Sequence, residues 1–279
     1  MKRVALINDL SGIGRCSLSV ALPIVSAMGH ECASLPTAIL SNHTAFNNYT
    51  FYDFTEKMHG FVECWQALGA QFDTVYTGFL GSVHQIDIAI DFINTFGKNA
   101  LKLVDPVMGD DGKIYDTYTD QMRKHMKRLV AMADIITPNL TELCELCDTP
   151  YPTKKISLCD VYEMCVHTGV GQIVVTGLES GIISDIKDGV IANFVYDNAH
   201  TYLVTNKKTP VMYCGTGDVF ASVLCGALTN GVSLEKASCL ASDFCAECTA
   251  YTYDNGGDKL YGIMFEKYLY RLCEKRENK

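Results

Sequence analysis

YCGTGDVFASVLCGALTNG, residues Tyr213 to Gly231, joins a tight glycine turn to a helix and puts one carboxylate at the helix start. Gly215 and Gly217 let the backbone approach a ligand, and the free N–H groups of a helix N-terminus point at negative charge. Such an arrangement handles phosphate. Thr216 lies between the two glycines, and Asp218 stands where an attacking hydroxyl could be held. A helix N-terminus favours the anion, so the Asp218 pKa is expected at or below about 3.9, which makes it a ready proton acceptor. Taken alone, the same Asp reads first as an ordinary helix cap. Its companions along the chain decide between the two.

Upstream of this stretch, apolar β-rich runs alternate with amphipathic helical ones, the pattern of a mostly parallel sheet covered on both faces. Strands are expected over Val4–Asn8, Glu31–Pro36, Thr74–Thr77, Leu101–Asp105, Ile135–Thr137 and Ile173–Thr176, with helices over Ser17–Met28, Thr55–Leu68, Gln85–Phe96, Thr119–Met132 and Ile156–Thr168. Short β runs, Ile182–Ile186 and Val190–Tyr196, are expected to turn at Lys187-Asp188-Gly189. Three helices then close the chain: one after Asp218, one over about Ser233–Tyr253 and one over about Gly262–Glu274. The fold class is α/β with three layers. A length of 279 residues with 48% hydrophobic content can bury a sizeable core as one domain, residues 1–279.

Ligands of such sheets bind beyond the carboxyl ends of the strands, where this chain carries polar residues. Asn8 and Asp9 follow the first strand, Asp105 the fourth, Thr137 and Asn139 the fifth, and Thr176 with Gly177 the sixth. In Thr137-Pro138-Asn139-Leu140-Thr141-Glu142, Asn139 and Glu142 have the spacing of a capping box. Glu142 could equally hold water around a magnesium ion bridging nucleotide phosphates, since magnesium keeps several waters. Asp105 is the stronger candidate for the cation and phosphate region, and Asp110 and Asp111 read as turn residues. Ser11-Gly12-Ile13-Gly14 lacks the third glycine of a dinucleotide fingerprint, and no P-loop motif occurs.

A net charge of -9 and a pI near 5.2 argue against nucleic acid or an acidic membrane surface as partner. The one basic run, Arg123 to Arg128, reads as a solvated helix face. No apolar run is long enough for a membrane span, so a cytoplasmic protein is expected. The 13 cysteines are odd in number and scattered, which suits reduced thiols. Cys144/Cys147 and Cys245/Cys248 lie in segments that read as helices, and they are expected to pack as small hydrophobes.

Four motifs in order, NDLSGIG, DPVMGD, TPNLTE and CGTGD, resemble those of the ribokinase-like kinases of small alcohols, over nearly the whole chain. Within that superfamily Leu40-Ser41-Asn42-His43-Thr44 and Thr77-Gly78-Phe79-Leu80-Gly81-Ser82 resemble the vitamin B6 kinases. The resemblance implies transfer of phosphate from ATP to the 5′-hydroxymethyl group of pyridoxal, pyridoxine or pyridoxamine, with magnesium, a monovalent cation such as K⁺, and a homodimer. Asp218 would take the proton, and the N–H groups of Gly215, Thr216 and Gly217 would cradle the migrating phosphoryl. Asp105, Thr137, Asn139, Glu142 and Thr176 match family positions near phosphates and cations, with Asp105 and Glu142 toward the metal. Asn206, Lys207, Lys208 and Thr209 match a stretch that runs past the nucleotide through backbone contacts.

On the substrate side the resemblance points to Asp9, Thr44, Ala45 and Phe79, with His43 read as a hydrogen-bonded loop residue. Asp9 stands where B6 kinases carry Ser, and Phe79 where they carry Tyr. A carboxylate there could pair with a cationic ring nitrogen or an amine, which favours pyridoxamine, whereas Phe keeps stacking without a hydroxyl. Asp9 is also similar to the hydroxymethylpyrimidine kinases, and a sugar kinase is a further alternative. A nucleotide-dependent hydrate dehydratase and a non-catalytic B6-binding protein are the readings from other classes. Residues Ala45–Phe54 are expected to form a lid that excludes water.

Overall fold

Val4 and Leu6 bury on one side of the first strand and Ala5 and Ile7 on the other, so this strand lies inside the protein with both faces covered. The computed structural model describes residues 1–116, 118–198 and 200–273. Its strands are β1 (Arg3–Ile13), β2 (Glu31–Asn42), β3 (Phe51–Asp53), β4 (Thr74–Thr77), β5 (Leu101–Val104), β6 (Gly109–Asp110), β7 (Lys113–Ile114), β8 (Ile135–Ile136), β9 (Gln172–Glu179), β10 (Val190–Asp197) and β11 (His200–Lys207). Its helices are α1 (Ser17–Ala27), α2 (Thr55–Ala67), α3 (Val83–Phe96), α4 (Asp120–Val130), α5 (Leu140–Leu146), α6 (Leu158–Thr168), α7 (Thr216–Thr229) and α8 (Leu234–Asp254).

Nine strands form one sheet in the order β11-β10-β9-β8-β5-β4-β1-β2-β3, parallel from β9 to β2 and antiparallel at both margins. Side chains of α2 to α6 fill one face, and those of α1, α7 and α8 fill the other. The expected three-layer fold is therefore observed. Among the described residues no helix is long and apolar enough to cross a membrane.

Several boundaries differ from the sequence expectation. β1 and β2 run on together to Ile13 and Asn42, with a bulge between Asn8 and Leu10, so the first strand extends through Ser11–Ile13 instead of ending at Asn8. Ile182–Ile186 is not a strand. Its buried Ile183 and Ile186 anchor a turn, and β10 pairs instead with β9 and β11. The turn at Lys187-Asp188-Gly189 does form, closed by the Val190 N–H on the Lys187 carbonyl. β11 went unread because only Val204 of its eight residues is buried, as befits an edge strand. The closing segment is two short 3-10 stretches, Lys259–Tyr261 and Glu266–Arg271, in place of a helix over Gly262–Glu274, whose last residue lies outside the described residues. Of the expected lid over Ala45–Phe54, Phe51–Asp53 is β3, paired with β2.

Candidate active site

Gly215 opens α7 in the left-handed region at φ 70°, and a Cβ there would stand 1.9 Å from the Arg15 carbonyl oxygen. Only glycine fits both constraints. Gly217 is exposed, with open space where its Cβ would be. Thr216 closes the turn by donating from its hydroxyl to the Tyr213 carbonyl. Asp218 sits in the first turn of α7 and is not its cap.

The carboxyl of Asp218 behaves opposite to expectation. Burial pushes its pKa up to about 7; the Ser17 backbone N–H and the Asn8 amide pull down, and the Asp9 charge pushes up. Loss of hydration outweighs the helix N-terminus. Asp105, immediately after β5, is buried and raised as well, first by desolvation and then by the charge of Asp218, against a hydrogen bond from Thr137. Glu142 is raised by burial and by Asp105. Around these carboxylates lie two buried polar atoms without partners, Tyr76 Oη and Thr77 Oγ1. Clustered acids that repel one another beside orphaned donors fit a ligand rich in phosphate and cation.

Among the described residues no set of three or more His, Cys, Asp or Glu is arranged to hold a metal by itself. The two hard carboxylates of Asp105 and Glu142 suit a hydrated magnesium, which takes few protein ligands. Glu142 also completes a capping box: its Oε2 accepts from the Asn139 N–H at 2.9 Å, and the Asn139 Oδ1 accepts from the Glu142 N–H at 3.0 Å. Its Oε1 accepts from the Met108 N–H, and Asn139 donates to the Gly109 carbonyl. Capping and cation reading thus meet in one residue. Thr176 joins this corner through its N–H on the Pro138 carbonyl and a bridge to Asn139. Asp110 and Asp111 lie in the β6–β7 hairpin, Asp111 in its turn with φ 49°, as turn residues should.

The stretch at the end of β11 is placed differently. Asn206 accepts from the Ser242 hydroxyl and donates to Asp243, so its side chain is committed to α8. Lys208 pairs with Glu179, Lys207 is exposed, and Thr209 donates to the Val211 carbonyl.

On the substrate side, Asn8 is the organiser that sequence reasoning left out of the site. Its Oδ1 accepts from the Phe79 N–H at 2.8 Å and the Asp9 N–H at 3.0 Å, so one amide fixes two candidate residues. Gly78 makes room for it, since a Cβ there would lie 2.2 Å from Asn8 Nδ2. Burial raises Asp9, against hydrogen bonds from Ser17 and Ser11. Ser17 holds φ 52°, unusual for a non-glycine residue, where its N–H faces Asp218 and its hydroxyl faces Asp9. Its chemistry is visible only in three dimensions, because Asp218 lies far along the sequence from Asp9 and Ser17. Thr44 and Ala45 lie exposed in the loop after β2.

Cysteines pack as expected, with burial pushing Cys144 and Cys147 up to about 11 and Cys248 up to about 12, which keeps them protonated and inert.

The sequence profile of the phosphomethylpyrimidine kinase family matches residues 22–261. A pyridoxal kinase of Pasteurella multocida is 31% identical over 247 residues, 84% of this chain and 83% of its own. Among solved structures, a Bacteroides thetaiotaomicron protein described as a phosphomethylpyrimidine kinase, crystallised with pyridoxal, shares 37% identity at a TM-score of 0.90, covering 98% of this chain and 96% of that one. A pyridoxal kinase from Lactobacillus plantarum shares 27% identity at a TM-score of 0.88, with 98% and 96% covered.

Proposed function

Because the chain belongs to the phosphomethylpyrimidine kinase family, within the ribokinase-like kinases, we propose that it phosphorylates the 5′-hydroxymethyl group of a B6 vitamer with ATP. The carrying observation is the raised carboxyl of Asp218 in the first turn of α7, directly after the Gly215–Gly217 turn. Asp218 orients the hydroxyl and accepts its proton late, while the Gly215, Thr216 and Gly217 N–H groups stabilise charge on the phosphoryl in flight. Asp105, with Glu142 behind it, would hold hydrated magnesium, which supplies charge neutralisation on the phosphates. Thr137, Asn139 and Thr176 line that side, and the backbone of Asn206–Thr209 runs beside the base or ribose.

Asp9, Phe79, Thr44 and Ala45 form the vitamer side. Phe79 stacks on the ring and Asp9 faces a cationic nitrogen or amine, which favours pyridoxamine. The Asp9 carboxyl supports this preference, since its burial makes a cationic partner worth more than in water. The family name and Asp9 together keep hydroxymethylpyrimidine as the second substrate reading.

The test is ADP release with Mg-ATP and potassium against pyridoxamine, pyridoxal, pyridoxine, hydroxymethylpyrimidine and ribose in separate wells. Turnover confined to B6 vitamers, led by pyridoxamine, is expected, with Asp218→Ala lowering it by about two to four orders of magnitude. Turnover on hydroxymethylpyrimidine or ribose alone would overturn the substrate. Silence in every well would overturn the kinase reading in favour of a dehydratase or binding protein.

A further inference from the structure

Three features stand outside the chemistry above: the ring of His43, the left-handed Gly14, and the turn over residues 258–262. His43 follows directly on β2 and begins the loop of residues 43–50. Its Nε2 lies 2.5 Å from the Leu260 carbonyl oxygen, and its Nδ1 lies 3.3 Å from the Ala45 amide nitrogen. These partners define the tautomer: Nε2–H donates to Leu260, and Nδ1 accepts from the Ala45 N–H. The Phe46 N–H returns to the His43 carbonyl, the two rings sit 4.7 Å apart, and Phe46 meets Tyr261 edge-on at 5.3 Å. Gly14, at φ 99°, clears a bed for the imidazole, because a Cβ there would stand 2.4 Å from His43 Cδ2.

The opposite side of the same turn holds the phosphoryl cradle. The Cys214 N–H donates to the Lys259 carbonyl at 3.0 Å, and the Arg15 N–H donates to the Tyr261 carbonyl at 3.2 Å. Arg15 in turn presents its carbonyl to Gly215, and Gly262 packs so closely that a Cβ would lie 2.8 Å from Arg15 Cβ and 3.1 Å from the Cys214 oxygen. The turn is itself braced, with Asp258 accepting from the Leu260 and Tyr261 N–H groups. One short rigid segment therefore touches the substrate loop through His43 and Phe46, and the anion turn through Cys214 and Arg15.

We propose that His43 is a positioning residue, a latch that couples the loop of residues 43–50 to the anion turn of residues 214–217 through the turn of residues 258–262. Closing the loop over an alcohol and setting the phosphoryl cradle are then one event. The role of the two ends rests on the kinase reading above, whereas the coupling itself does not. Packed segments with two discrete arrangements carry such coupling over contiguous contacts.

Hydrogen exchange on the full chain tests the coupling without turnover. In His43→Ala, exchange should rise by about fivefold or more in residues 44–50 and also in 214–217, with α3 unchanged. His43→Gln, whose terminal amide can still donate to Leu260, should restore most of the protection at both places. Phe46→Ala, which removes the ring contact to Tyr261 and leaves His43 intact, should give the same paired loosening in weaker form, and it carries the test if His43→Ala does not fold. In kinetics, His43→Ala should lower kcat by about tenfold, with Mg-ATP affinity within about twofold of the parent, because misplacement rather than lost binding is the defect. Loosening confined to 44–50 would overturn the latch. A raised vitamer KM at unchanged kcat, not rescued by Gln, would instead make His43 a direct substrate contact and overturn it equally.

Discussion

Asp218 is held between two opposing effects, and their balance gives the protein a pH signature. Desolvation raises its pKa from 3.8 to about 7, while the Ser17 N–H and the Asn8 amide stabilise the anion. Between these two values the folded chain holds protons that the unfolded chain has released, so the stability of the ligand-free protein is fullest below the lower value and falls as pH rises through the upper one. Asp105 and Glu142, also raised by burial, push in the same direction. Asp218→Asn should therefore make the ligand-free protein more stable at pH 8, on the order of 1 kcal/mol, while lowering turnover by about two to four orders of magnitude. Urea unfolding at pH 5 and pH 8 checks it; an Asn variant that loses stability at pH 8 would show that the carboxylate is compensated in the free site. That a glycine opens α7 was legible in the motif, because a left-handed turn before a helix is a local property. That of Asn8 was not, since its value lies in reaching Phe79, 71 positions away.

At the scale of elements, α5 starts on a capping box whose Glu142 is also a candidate cation ligand. Asn139 and Glu142 satisfy each other's backbone, and Asn139 also reaches β6 through the Gly109 carbonyl. Asn139→Ala removes a cap and a part-buried hydrogen bond together, and should cost about 1–2 kcal/mol of stability by denaturant melt. Glu142→Gln keeps an acceptor for one N–H but discards the charge; it should cost little at pH 8 and raise the magnesium needed for half-maximal turnover by about tenfold. Equal loss of stability in both variants with an unchanged magnesium requirement would reduce Glu142 to a cap. The pair itself was readable from its i to i+3 spacing. What could not be read was the antiparallel margin, where β10 is apolar enough to be seen and β11 is not. Pairing partners of an edge strand are set by the neighbour's free N–H and C=O groups, not by a hydrophobic period.

At the scale of the whole molecule, β1 separates the two halves of the core with alternate side chains. Leu6 points into the face covered by α1, α7 and α8, and Ile7 into the face that also holds the single tryptophan, Trp65. Both are fully buried, so Leu6→Ala and Ile7→Ala should each cost about 2–5 kcal/mol. If the chain folds as one domain, the sheet transmits either loss to both faces. Leu6→Ala should then shift the Trp65 fluorescence midpoint and the far-ultraviolet circular dichroism midpoint to the same lower denaturant concentration, although the lost contacts lie on the side of the sheet away from Trp65. A fluorescence midpoint that stays at the parental value while the dichroism midpoint falls would mean that the two faces unfold separately. The Gly215 turn on α7 and the Asp105–Glu142 corner by α5, held by opposite faces, would then owe their alignment to ligand and not to the fold.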